Sequence, residues 1–204
     1  MAKSQKPAGK VFLNIPYDEK FERLFLAYVC GVTAFGLIPR AALEIPSSTR
    51  RLDRILDLLK TCRYSIHDLS RVELDLHRPP TPRFNMPFEL GLAVAHAGIL
   101  TGLKHEWYVC EAVGRRLSKS LSDLDGTDPQ IHGGVVDGVF KALTNIFVRQ
   151  NRQPSVPQMR TVYREVLKQL PILTLHAGAQ SLYSARMFRD IRVIASDFAD
   201  QTVT

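Results

Sequence analysis

The feature that most narrows the fold is an alternation of periods along the chain. From Lys10 onward, short apolar runs rich in β-branched residues are followed by longer segments with helical spacing, and turn residues stand between them. VFLNI (11–15) predicts a first strand, broken by PYDEK. FERLFLAYVCGVTAF (21–35) predicts a helix charged only in its first turn and closed by Gly36. LIPRAALEI (37–45) is a weaker second strand, suited to a sheet edge by Pro39. SSTRRLDRILDLLKTC supplies a second helix, with Ser47, Ser48 or Thr49 as N-cap and Leu52, Ile55, Leu56 and Leu59 as its apolar stripe. RYSIHDLS (63–70) is a third strand, 71–82 a long loop, 87–97 a third helix, EWYVCEA (106–112) a fourth strand and VVDGVFKALTNIFVRQ a fourth helix. Strands alternating with helices predict a parallel sheet covered on both faces. With four to five strands, the expected fold class is α/β, a flavodoxin-like doubly wound sheet.

The 204 residues divide into a tail at 1–9, an α/β nucleotide-binding domain at 10–150 and a helical C-terminal appendage at 151–204, entered through the linker NRQPSVPQ. In the appendage, MRTVYREVLKQL and SLYSARMFRDIRVIASDF are two helical patterns with PILTLHAGA between them. No apolar run approaches the roughly 18 residues of a membrane span, and the basic start is not followed by a signal-type apolar region. A cytoplasmic protein with no membrane partner is expected. Cys30, Cys62 and Cys110 are far apart and sit among apolar residues, which predicts buried thiols, and no His or Cys spacing predicts a metal. The net charge of +7 is scattered rather than gathered into an arm. It argues against a nucleic-acid partner and for a small phosphorylated or dinucleotide ligand.

Within PRFNMPFELGLAVAHAGIL (82–100), one acid stands out. Between Arg83 and Lys104 the only ionisable residues are Glu89 and His96. A buried, unpaired carboxylate costs several kcal/mol or takes up a proton. Capping by a first-turn acid is one explanation, but the capping box needs Ser or Thr where this chain has Met86. The other explanation is chemical. Ligands of open parallel sheets bind outside the carboxyl ends of the strands, where helix N-termini gather, and a carboxylate there can attack an anomeric carbon.

VFLNIPYDEKFE, CRYSIHDLSRVELD and above all RFNMPFELGLAVA resemble bacterial TIR-like proteins related in fold to nucleoside 2-deoxyribosyltransferases. The transferases carry a similar FELGYA-type segment whose Glu is the nucleophile that cleaves an N-glycosidic bond. TIR-domain NAD-cleaving enzymes also place a catalytic Glu on the helix after the third strand. Matched by motif, the resemblance implies Glu89 as the catalytic residue. Upstream of that motif the transferases have an acid and glycines, whereas this chain has Arg83, Phe84, Asn85 and Met86. A positive Arg suits a phosphate, so the implied substrate is a nucleotide or a dinucleotide such as NAD.

Around Glu89 the strand ends supply candidate substrate-binding residues. These are Asn14, Tyr17 and Asp18 after strand one, Arg40 in strand two, Asp68 and Ser70 at the end of strand three, and Arg83 and Asn85 beside the motif. Arg40 and Arg83 are expected to hold phosphate, Asp68 a ribose, and Tyr17 a base. His67 should face away from Asp68, because neighbours on a strand alternate. The expected activity is hydrolysis or transfer at an N-glycosidic bond, with no cofactor beyond NAD or another nucleotide as substrate, in bacterial defence or nucleotide signalling. The rival expectation is a non-catalytic nucleotide sensor that signals through a partner. A homo-oligomer is expected in either case, with the C-terminal helices as its surface.

Overall fold

The computed structural model describes residues 9–44, 49–72, 74–75, 78–82, 84–99, 105–124, 126–179 and 181–203. Five strands form one all-parallel sheet: β1 (Lys10–Asn14), β2 (Ile38–Arg40), β3 (Tyr64–Asp68), β6 (Glu106–Glu111) and β7 (Gln130–Ile131), in the order β2-β1-β3-β6-β7. This is the flavodoxin-like order, with its reversal of direction between β1 and β3. Register pairs Asn14 with His67 and Asp68 with Cys110, so the carboxyl ends of β1, β3 and β6 lie side by side. β2 is shorter than expected. After Arg40 the chain turns into a single 3-10 turn, Ala42–Glu44, and Ile45, Ser47 and Ser48 lie outside the described residues. Two expected loops contain short elements. β4 (Leu74–Asp75) pairs antiparallel with β5 (Thr81–Pro82), and the stretch after β6 holds the brief helix α4 (Arg116–Ser120) and then β7.

One face of the sheet carries α1 (Glu22–Ala34) and α5 (Val136–Ile146). The other carries α2 (Arg51–Thr61) and α3 (Asn85–Ile99). Alternation on β1 explains the division: Val11 and Leu13 point into the α1 core, while Phe12 packs with Ile55, Leu58, Leu59 and Ala93.

The C-terminal part comprises α6 (Val156–Ala177) and α7 (Ala185–Thr202), which lie on the outer side of α1. Met159, Val162, Met187, Phe188 and Ile191 are fully buried in the same cluster as Val11, Phe25 and Phe140. From Leu24 to Ala34 every residue of α1 is buried, because the sheet covers one side and α6 and α7 cover the other. α6 begins with a capping box, Ser155 with Gln158, inside the segment expected to be a linker. It also runs through PILTLHA without a break. Pro171 removes one backbone hydrogen bond, on a stretch where Leu167, Ile172 and Leu175 are exposed and water can solvate the released carbonyl. Among the described residues no helix is long and apolar enough to cross a membrane.

Because Phe188 bridges α7 and the α1 core, Phe188→Ala should cost about 3–5 kcal/mol. Urea unfolding followed by both circular dichroism and Trp107 fluorescence should show one coincident transition at a lower midpoint. Two separated transitions would mean that α6 and α7 fold apart from the sheet.

Candidate functional site

A sheet of this order offers its ligand crevice at the carboxyl ends of the strands beside the point of reversal, here β1 and β3. α3 delivers Glu89 to it. The Phe84 carbonyl accepts the Phe88 N–H at 2.9 Å and the helix begins at Asn85, so Glu89 is its fifth residue and lies beyond the first turn. The placement of Glu89 in a first turn is therefore corrected: the helix starts two residues earlier than its apolar pattern indicates. Dipole stabilisation, which fades within one turn, does not account for the acid.

Glu89 shares the inward face of α3 with Met86, Leu90 and Ala93 and is only 3% exposed. Its Oε1 accepts a hydrogen bond from Arg51 Nη2 at 3.3 Å, across from the first turn of α2. Burial raises the Glu89 pKa above the usual carboxylate range, and the charge and hydrogen bond of Arg51 act against that rise. Arg51 is half exposed, so one end of the pair is dry and the other is wet. The Tyr17 hydroxyl belongs to the same neighbourhood. Burial, then the negative charge of Glu89, raises its pKa. Its ring packs on Phe25 and on Tyr183 of the segment before α7, with centroids 6.2 and 5.5 Å away.

Beneath this crevice runs a chain of hydrogen bonds between buried side chains. Asn14 Nδ2 donates to His67 Nδ1 at 2.9 Å, which leaves His67 Nε2 as the protonated nitrogen, donating to Ser65 Oγ at 2.9 Å. Ser65 then donates to His105 Nε2 at 2.8 Å, and His105 Nδ1 donates to the Cys62 carbonyl at 2.9 Å. Every donor has one acceptor only if both imidazoles are neutral. Burial agrees: it drives the His67 pKa down to about 3 and lowers that of His105. His96, near the end of α3, packs edge-on against His105 with centroids 5.4 Å apart.

Asp68 points to the opposite face, as strand alternation requires. It is fully buried, accepting from Tyr28 Oη at 2.8 Å and the Ser70 N–H at 2.9 Å, with His132 Nε2 3.0 Å away. Ser70 Oγ lies 3.1 Å from that same nitrogen. The trio Ser70, His132 and Asp68 has the residue types of a nucleophilic relay but not its wiring. His132 Nδ1 accepts the Gly134 N–H at 3.1 Å, so Nε2 carries the proton and cannot take one from Ser70. The cluster is a structural clamp on the loop after β3. Gly138 keeps α5 against it, since a Cβ at that position would fall 1.9 Å from the His132 carbonyl oxygen.

The remaining candidates are dispersed. Arg40 is held by Glu44 at 2.6 Å, and Glu44 also receives Arg192 of α7 at 3.2 Å. Asp18 pairs with Arg71 at 3.3 Å, and its carbonyl accepts from Tyr183 Oη at 2.6 Å. Asn85 is exposed at the start of α3, and Arg83 lies outside the described residues. Among the described residues the cation that meets Glu89 is Arg51, which the sequence presents as one of three arginines at a helix start. Among the described residues no group of His, Cys, Asp or Glu is arranged to hold a metal ion.

A cleft of about 1140 Å³ opens at the other edge of the sheet, where Arg63, Tyr64, Glu106, Tyr108, Gln150 and Arg152 line it. Its acids are already paired, Glu106 with Arg63 and Asp200 with Arg152, and it offers no buried carboxylate for chemistry. Glu89 therefore outranks this cleft as a reactive centre. The chain matches no family model, no curated protein and no solved structure.

The neutral His67 gives a signed pH dependence. Between pH 6.5 and about 3 the unfolded chain binds a proton at this residue that the folded chain does not. Stability tied to His67 is therefore complete above pH 6.5 and falls on acidification by up to about 1.4 kcal/mol per pH unit. Denaturant midpoints measured from pH 7.5 to 5 should fall less steeply in His67→Gln than in the parent, whatever the offset between the two curves.

Proposed function

We propose that the chain cleaves, or transfers from, the N-glycosidic bond of a nucleotide such as NAD, with Glu89 as the attacking carboxylate. The observation that carries the reading is a buried acid beyond the reach of helix capping, opposed by one half-exposed guanidinium, at the switch point of a flavodoxin-like sheet. A carboxylate stripped of water is poorly stabilised until positive charge forms beside it, and the oxocarbenium-like transition state of glycoside cleavage supplies that charge. In the first step a Glu89 oxygen bonds to the anomeric carbon, and the base departs with the electron pair of the broken C–N bond. In the second, water or another base attacks the same carbon, its proton passing to solvent, and Glu89 leaves as a carboxylate. Arg51, accessible from solvent, is placed to take a substrate phosphate and release Glu89 as it does so. By its resemblance to TIR-like proteins, the activity fits defence or nucleotide signalling in a bacterial cytoplasm.

Incubation with NAD and with nucleotides, followed by chromatography of the released base, tests the proposal. Glu89→Gln should lower cleavage at least about 100-fold while the melting temperature stays near that of the parent. No cleavage by the parent protein would overturn it. Arg51→Met removes what keeps the Glu89 pKa from rising further, so the acidic limb of the rate profile should move to higher pH. An unmoved limb would show that the titrating group is not Glu89.

The near-complete burial of Glu89 also favours a second reading, a nucleotide sensor in which a ligand draws on Arg51 without being cut. Thermal-shift measurement separates the two, since a sensor is stabilised by a nucleotide it leaves intact.

A further inference from the structure

Folding gathers arginines that the sequence scatters. Arg40 ends the edge strand β2, Arg51 and Arg54 lie in the first turn of α2, and Arg192 is on α7, yet all four are tied to Glu89 or to the turn Ala42–Glu44. Arg51 and Arg54 are neighbours on one face of α2, with about 5–6 Å between Cβ atoms at this spacing. Arg51 reaches Glu89, while Arg54 Nη1 donates to the Ala42 carbonyl at 3.2 Å. Two residues beyond Ala42, Glu44 takes the other two cations. Its Oε1 accepts from Arg40 Nε at 2.6 Å and from the Ala41 N–H at 3.0 Å, and its Oε2 accepts from Arg192 Nη1 at 3.2 Å. Arg40 makes no hydrogen bond to Glu89, but it belongs to a line of cations that leads there. The charges of Glu89 and Glu44 both reach the Tyr17 hydroxyl, so the two acid-held groups share one neighbourhood.

Glu44 holds its arginines without exhausting them, because each guanidinium gives it a single N–H. Arg40 uses Nε, which leaves its Nη1–Nη2 edge without an acceptor among the described residues. Arg192 uses Nη1, which leaves its Nε–Nη2 edge in the same state. Two N–H groups on such an edge match two oxygens of one phosphate. The side chains are 23% and 27% exposed, so both keep a face to water while the rest is packed in place. An anion that displaces this water meets cations already oriented, which lowers the ordering cost of binding. One cation would neutralise Glu44, but the fold brings a second from 148 residues further along the chain.

We propose that Arg40 and Arg192, oriented by Glu44, bind the second phosphate of a diphosphate whose first phosphate lies on Arg51. The ligands selected are then nucleoside diphosphates and dinucleotides, in preference to monophosphates. The assignment rests on the proposed function for the end of the ligand that faces Glu89, and it makes α7 a part of the binding site.

Isothermal titration calorimetry of the full chain with ADP and with AMP, at low salt to limit screening, tests this. ADP should bind at least about 10-fold more tightly than AMP. Arg192→Gln should weaken ADP about 10-fold and leave AMP within about twofold of the parent. Arg192→Lys, which keeps the charge but not the paired N–H groups, should recover only part of the loss. Arg192 also ties α7 to the turn, so Arg40→Gln, on a different element, is the second probe and should remove the same preference. Equal affinity of the parent for ADP and AMP overturns the proposal, as does no binding of either. A loss that falls on ADP and AMP alike in both Gln variants overturns it too, since that is what a merely structural role would produce. Cleavage does not enter the measurement. ADP selectivity in a protein that cuts no nucleotide leaves this subsite standing and removes the proposed function, and cleavage without ADP selectivity does the reverse.

Discussion

Everything in this fold is arranged around the complete burial of α1. A helix on an ordinary doubly wound sheet keeps one side wet, but this one is dry from Leu24 to Ala34, enclosed by β1, β2 and α5 on one side and by α6 and α7 on the other. The apolar area removed from water there is the main source of stability, at roughly 25 cal/mol per Å². It also dictates composition. At Gly31 a Cβ would lie 2.3 Å from a Leu143 methyl group, so any larger residue there would force that side chain of α5 to move. Thr33 is tolerated only because its hydroxyl returns a hydrogen bond to the Val29 carbonyl.

The polar interior follows an equally strict rule. At the ends of β1 and β3 the buried ionisable groups are either kept neutral or given a partner, and the two faces of the sheet do this differently, whereas Glu111 at the end of β6 is buried with both carboxylate oxygens unpartnered among the described residues. On the α2 and α3 side, imidazoles joined through Ser65 remain uncharged and hold Asn14 in one orientation. On the α1 side, Asp68 is enclosed by donors from Tyr28, Ser70 and His132. Glu89 differs from both, because its partner among the described residues, Arg51, faces solvent. That asymmetry singles it out chemically: Glu89 is tied to a group that solvent reaches, while His67 and Asp68 are tied to groups that are themselves buried.

Much of this was legible in the sequence, for identifiable reasons. The alternation of periods predicted the parallel sheet, and residues 21–35 predicted a helix packed on it, though not that α6 and α7 would cover its other side. The separation of His67 from Asp68 followed from strand geometry alone. Helix starts were less legible. α3 begins two residues early because Asn85 and Met86 already take helical backbone under a Phe84 carbonyl, with no cap residue to mark the place. Pro171 predicted an interruption that a solvated carbonyl made unnecessary. The partners of the site residues were not legible at all. Arg51 and His132 come to their acids from 38 and 64 residues away, the first as one member of an arginine run and the second inside turn chemistry. No local pattern encodes such meetings, which exist only once the crossover connections have set the register.

One tie has a consequence in time rather than in space. The hydroxyl of Tyr183 bonds to the carbonyl of Asp18, a span of 165 residues, and its ring covers Tyr17 beside the Glu89 crevice. The loop after the first strand is thus held by a segment far along the chain. Closing so long a span is among the slower steps a chain of this size can take. The loop beside Glu89 therefore gains this support late in folding, after the local contacts of the sheet and its neighbouring helices.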